Sequence, residues 1–140
     1  NWEKASESPR KRYADVLHKK GDIENMCTVY LLKGTYMQPH RHERKSQIEI
    51  IEILEGELDI IYFDNVGKVE EKKRLRKMGE LIEVPSMQYH TYRVITEKAI
   101  TYETMDGVYD PKTWKKYADW APNESDIEAQ SYLKSLGKES

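Results

Sequence analysis

Cysteine is almost missing: Cys27 is the only one among 140 residues. A lone thiol excludes an internal disulfide framework and a thiolate metal cluster. A reducing cytoplasm is the expected compartment. No apolar run approaches the roughly 20 residues of a membrane span, and the first residues carry no signal-peptide pattern. Charge of one sign is missing as well. The formal net charge is -2, so no global field draws the chain to nucleic acid or to an anionic membrane, and neither partner is expected. There is no βαβ rhythm and no internal repeat. Phe is scarce, one against ten Tyr and three Trp. That is a polar-tipped aromatic set, suited to pockets and interfaces as well as to packing. What is present, 34% charged and 38% hydrophobic residues, fits one globular domain with room for a core.

Short strands dominate the middle of the chain. Met26–Leu32 is apolar and β-branched, and Lys33-Gly34 turns it. Tyr36–His42 continues as extended chain, with Pro39 suited to an edge or a kink. Glu43–Gln47 is a polar loop. Ile48–Leu54 and Leu58–Phe63 are strands joined at Glu55-Gly56-Glu57, and the second puts Leu58, Ile60 and Tyr62 on one face. Asp64-Asn65-Val66-Gly67 is a further hairpin turn before Lys68–Leu75. Leu81–Val84 stops at Pro85, and Tyr89–Ile95 and Ala99–Met105 follow. A turn signal every 8–12 residues predicts an all-β sandwich or barrel. The chain divides into an N-terminal extension (1–25), the barrel (26–106) and a helical tail (107–140). A short helix or strand is expected around Tyr13–His18, with the charges of this extension on a solvated surface. In the tail, Asp110-Pro111 opens a helix through Lys116 and Trp120-Ala121-Pro122 breaks it. Ser125 with Glu128 makes a capping box for a second helix that ends at Gly137. Short helices packed outside the barrel, or on a neighbouring subunit, are the expectation.

The chemistry concentrates in Gly34–Gly56. Residues i and i+2 of a strand share a face, so His40 and His42 present two imidazoles side by side. They are a natural pair of metal ligands, and Glu49 is a natural third. A second segment runs from Gly79 past Pro85 to His90. There His90, Tyr92 and Val94 share a face, and if that face is the interior, His90 joins the other three. Tyr36, Gln38 and Tyr92 fall on ligand-bearing faces by parity, as pocket-lining candidates. Glu103, beside Tyr102, is either an inward acid near the metal, the catalytic candidate, or a partner for an Arg such as Arg93. Arg10 and Arg12 either close over the barrel mouth and bind an anionic substrate or remain on the surface.

These spacings resemble the cupins. Their first motif is Gly, five residues, His-x-His, three or four residues, Glu, six residues, Gly. Gly34, His40, His42, Glu49 and Gly56 fill it here. Gly79, Pro85 and His90 fill most of the second motif, with Met87 in place of its Gly and Val94 in place of its Asn. Six residues separate His42 from Glu49, and Gln47 holds the usual Glu position counted from the histidines. Glu49 is preferred by its distance to Gly56 and shares strand parity with Gln47. The resemblance implies a double-stranded β-helix, or jelly-roll barrel, with His40, His42, Glu49 and His90 holding one divalent ion.

Ser8-Pro9-Arg10-Lys11-Arg12, Phe63-Asp64, Gly107-Val108-Tyr109-Asp110-Pro111 and Trp120-Ala121-Pro122 narrow the likeness to the WbuC-type cupin metalloproteins. That family implies a context in bacterial surface-polysaccharide metabolism and a homodimer, without a reaction. Three imidazoles and a carboxylate suit Fe, Mn, Zn, Ni or Co and leave open positions for Lewis-acid work or dioxygen. Affinity should fall below about pH 6, because the imidazoles must be neutral. Three roles remain open: a metalloenzyme on a small polar, sugar-derived substrate; a non-enzymatic carbohydrate binder or sensor with a structural or anchoring metal; and a metal-free barrel whose histidines bind ligand directly.

Overall fold

Alternation along the strands decides which side chains build the core. The computed structural model describes residues 1–138. Helix α1 (Trp2–Glu7) precedes β1 (Arg12–Val16), β2 (Glu24–Leu32), β3 (His40–Arg41), β4 (Glu49–Glu55) and β5 (Leu58–Phe63). Then come β6 (Val69–Leu75), β7 (Leu81–Val84), β8 (Tyr89–Val94), β9 (Lys98–Asp106), β10 (Lys116–Tyr117) and α2 (Ala129–Leu136). Two five-stranded sheets form, in the orders β1-β2-β9-β4-β7 and β10-β3-β8-β5-β6. All pairings are antiparallel. Their inner faces meet through Val29 and Leu31 of β2, Ile51 and Ile53 of β4, Leu58, Ile60 and Tyr62 of β5, and Tyr92 and Val94 of β8. This is the expected jelly-roll sandwich, and the face assigned to β5 from its alternation is the inner one.

Strand β5 is buried at all six positions, so both of its faces are covered. Ile61 and Phe63 point outward and pack with Tyr89, Ala118 and Leu136, with Trp120 against them. The tail therefore lies on the outside of the second sheet, as expected. Its local structure differs from the sequence reading. Residues 111–113 form turns, and 116–117 pair with β3. Asp110 holds the turn: its carboxylate accepts from Lys112 N at 3.0 Å and its carbonyl from Thr113 N at 3.1 Å. Such local bonds compete with a helix. Nor does Ser125 cap α2. Its hydroxyl bonds Asn123 Oδ1 instead, at 2.9 Å, and Asp126 Oδ1 accepts from Glu128 N at 2.8 Å.

The N-terminal segment joins the first sheet. β1 pairs with β2 over five residues, from Arg12↔Leu31 to Val16↔Cys27. The extended run Tyr36–His42 contributes only the two-residue β3 to a sheet. Two turn residues have contrasting backbones. Gly56 sits at φ 78, and a Cβ there would collide with the Lys98 carbonyl and the Thr96 hydroxyl, so glycine is required. Met87 stands at φ 66, a conformation that glycine adopts without strain.

Candidate metal centre

Each candidate histidine is delivered by a different local device. His40 lies on β3, directly opposite His90 of β8. His42 follows β3, and its carbonyl accepts from Met87 N at 2.7 Å, tying the first histidine segment to the turn before β8. All three imidazoles are buried, at 2–3% exposure. Ring centroids lie 4.5 Å apart for His40–His90, 5.2 Å for His40–His42 and 5.4 Å for His42–His90. One ring nitrogen from each lies within 4.8 Å of the other two.

The hydrogen bonds fix which nitrogen faces inward. Nδ1 of His40 meets the Gln38 carbonyl at 3.0 Å, Nδ1 of His42 the Trp114 carbonyl at 2.7 Å, and Nδ1 of His90 the Gln88 carbonyl at 2.9 Å. A carbonyl only accepts, so each Nδ1 carries the proton and each Nε2 presents a lone pair. Nε2 of His42 is buried without a hydrogen-bond partner. Glu49 Oε1 stands 3.2 Å from Nε2 of His90 and 3.9 Å from Nε2 of His42. Three imidazole lone pairs thus converge, with the Glu49 carboxylate beside two of them, an arrangement that a cation satisfies. The residues fit a divalent ion.

Gln47 turns away from this point. It is fully buried, and its Oε1 accepts from Arg44 N at 3.0 Å, closing the loop that lengthens the first motif. The loop's extra residues are absorbed there, and Glu49 enters β4 facing inward beside Ile51.

A cavity of about 230 Å³ adjoins the imidazoles. Glu49, Glu103 and Cys27 line its sheet-one wall, and Tyr92 lines it from β8. Lys115 and Trp114 close it from the tail, and Arg10 and Arg12 from the N-terminal segment. Glu103 is an inward acid and does not pair with Arg93; its Oε2 accepts from Thr101 Oγ1 at 2.6 Å. Burial and the neighbouring Glu49 charge push its carboxyl up to about 8. Burial would raise Glu49 too, but the close approach of His90, with His42 and the Lys115 ammonium, holds it below the ordinary value. Burial depresses His40 strongly and His42 as well, keeping both neutral and ready to ligate. Burial also lowers the Lys115 ammonium and raises the Cys27 thiol and the Tyr92 hydroxyl.

Tyr36 and Gln38 lie elsewhere. Both border a separate surface cleft. Tyr36 donates its hydroxyl to the Pro122 carbonyl at 2.6 Å, and Gln38 its amide to the Ala118 carbonyl at 3.0 Å. The kinked chain before β3 turns these side chains toward the tail, which strand parity did not foresee. Arg12 is buried and bonds the Tyr36 carbonyl, Thr35 and Glu124; Arg10 shares Glu124 at 2.9 Å. Sequence reasoning missed Lys115, Trp114 and Glu124. They lie in the tail, and no spacing links them to the histidines.

Comparison with known proteins now adds a family. The sequence profile of the family described as "Domain of unknown function (DUF6016)" matches residues 1–75, more than half of the chain. The chain belongs to the DUF6016 family. No curated protein matches it by sequence. Solved structures do resemble this DUF6016 chain. KdgF from Halomonas sp. is 19% identical with a TM-score of 0.60, over 76% of this chain and 86% of that one. The DMSP lyase DddQ from Ruegeria pomeroyi is 22% identical with a TM-score of 0.59, over 76% and 51%. The Cnp3 cupin domain of Schizosaccharomyces pombe is 19% identical with a TM-score of 0.55, over 69% and 65%. At these identities the likeness establishes the fold, which is that of the cupins. The DUF6016 chain spans about half the length of DddQ and just under two thirds of the Cnp3 chain.

Proposed function

We propose that this protein is a divalent-metal cupin enzyme of the WbuC type, acting on a small, sugar-derived substrate in bacterial surface-polysaccharide metabolism. The observation that carries the metal is the set of three Nδ1–H···O=C bonds, which turn three Nε2 lone pairs toward one another, with Glu49 beside two of them. His40, His42, His90 and Glu49 would hold the ion. When bound, a divalent ion with open positions polarises a carbonyl or hydroxyl as a Lewis acid.

The other residues have separate tasks. Glu103 borders the same cavity as the imidazoles and is the candidate to hold or move a proton at its carboxyl. Thr101 orients that carboxyl through the 2.6 Å bond to Oε2. The apolar walls from Val29, Ile51 and Ile60 exclude water behind the reacting group. A cavity beside the ligands, rather than a shell of side chains closed over them, supports an enzyme over a purely structural ion. The DddQ relative is itself named a lyase.

The test is elemental analysis with an activity screen. Purified protein should hold about one divalent ion per chain, lost in His40→Ala and His90→Ala. Turnover of small sugar derivatives by the iron- or manganese-loaded protein should vanish with it. Metal-free wild type of unchanged fold would sink the reading. Stoichiometric metal and binding without turnover would favour the carbohydrate-binding role. A homodimer is part of the proposal, and a monomeric mass by sedimentation would remove it.

A further inference from the structure

The cavity is lined by two kinds of polar group. The imidazoles, Glu49 and Glu103 offer lone pairs, whereas Lys115, Arg10, Arg12 and the Tyr92 hydroxyl offer donors. One acid, Glu124, serves both guanidiniums, at 2.9 Å from Arg10 and 2.8 Å from Arg12. No ion pair among the described residues includes Lys115. Among the described residues its ammonium hydrogen-bonds only to the Met37 sulfur, at 4.0 Å. Tyr92 is 6% exposed, and its buried hydroxyl has no hydrogen-bond partner. Buried donors without acceptors are costly in an isolated chain. Here two of them, Lys115 and Tyr92, border one space, beside two arginines that share the single acid Glu124.

We propose that the cavity takes a compact organic oxyanion, a carboxylate or a phosphate ester, whose charged end is received by Lys115, Arg10 and the Tyr92 hydroxyl while its other end reaches the imidazoles. This rests on the metal-site reading above and names its substrate class. Size narrows the class further. The cavity of about 230 Å³ is smaller than the roughly 300–1,000 Å³ that drug-sized ligands occupy. A few-carbon acid fits, whereas a nucleotide-linked sugar does not fit inside the barrel. Lys115 and Arg10 divide the work. Arg10 has an exposed side chain at the mouth and meets the incoming anion, and Lys115 holds it deeper, where water screens less.

A matched trio of probes tests this: glycerol, glycerate and glycerol 3-phosphate, titrated calorimetrically into metal-loaded protein. The expected result is binding of at least one acid about 10-fold or more tighter than glycerol, the effect of a charged hydrogen bond. Preference for glycerate identifies a carboxylate, and preference for glycerol 3-phosphate a phosphate ester. An anion can also coordinate an ion directly, so the variants decide. Lys115→Met and Tyr92→Phe should each weaken the preferred acid several-fold, with metal content unchanged. Arg10→Gln, at an exposed side chain, repeats the check should either buried-site variant fail to fold. Equal affinity for all three probes overturns the proposal, as does an acid preference that survives in the folded variants. Metal content assayed in the same samples separates the two readings. Discrimination by a metal-free wild type would overturn the metal site and leave the oxyanion pocket standing.

Discussion

His40, His42 and His90 look alike in the sequence but are held by different parts of the chain. Gln38 and Gln88 stand two residues before His40 and His90 and fix those rings locally. His42 takes its partner from Trp114, 72 residues away. The positions of the three histidines were legible as motif, but the carbonyls that hold their rings were not, and the third depends on how the tail lies. Glu124 shows the same split. Nothing in its surroundings marks it, yet it clasps two arginines from the other end of the chain. Burial alone would raise its carboxyl, and the Arg10 and Arg12 bonds hold it below the ordinary value. A carboxylate depressed in the folded state adds stability at neutral pH and loses it as pH falls through that lower value. Wild type should therefore exceed Glu124→Gln by about 1–2 kcal/mol at pH 7. That difference should shrink below about pH 4.3, where the unfolded carboxylate takes up its proton. Urea midpoints of both proteins across pH 3.5–7 would check it, and a pH-independent difference would contradict it.

Hairpins and their turns were the most readable elements. β5 was found by its alternation, and Gly56 by its place in the first motif. Both work because period-2 patterns and left-handed turns leave direct marks on residue choice. The helix expected from Pro111 failed because Asp110 bonds the next turn, a competition that helix-start signals do not reveal. α1 went unseen because its polar residues, Trp2-Glu3-Lys4-Ala5-Ser6-Glu7, bury only Ala5. Two turn residues give opposite predictions. Gly56→Ala should cost about 1–3 kcal/mol in thermal or denaturant unfolding, from strain and the clash with Lys98 and Thr96. Met87→Gly should be neutral or stabilising by up to about 1 kcal/mol, because it relieves a φ of 66 at a half-exposed side chain. Marked destabilisation by Met87→Gly would mean that the methionine side chain matters to packing more than its backbone does.

At the scale of the whole molecule, the barrel and its ends form one structure. The four candidate ligands belong to the barrel, but the cavity is also walled by Arg10, Arg12 and Ala14 and by Trp114 and Lys115. The barrel's strands were readable one at a time. The cavity was not, because its walls meet only in the folded chain. Trp120 tests the connection. It lies against Phe63 at 5.0 Å and Tyr89 at 5.5 Å, on the outer face of the second sheet. Trp120→Ala should cost about 3–5 kcal/mol of stability. It should also weaken metal affinity about 10-fold or more, the size of effect seen when a ligand's supporting hydrogen bond is lost. Chelator competition would measure the second effect, and unchanged affinity would show that the tail only packs.

The bond from His42 to the Trp114 carbonyl makes that dependence run both ways. If docking of the tail raises metal affinity by some factor, metal must raise the docking equilibrium by the same factor. The ion would then act as a latch on a segment that contributes no ligand to it. Limited proteolysis between Gly107 and Trp114 should be slowed by added metal, and released again by a chelator, to the extent that Trp120→Ala weakens the metal.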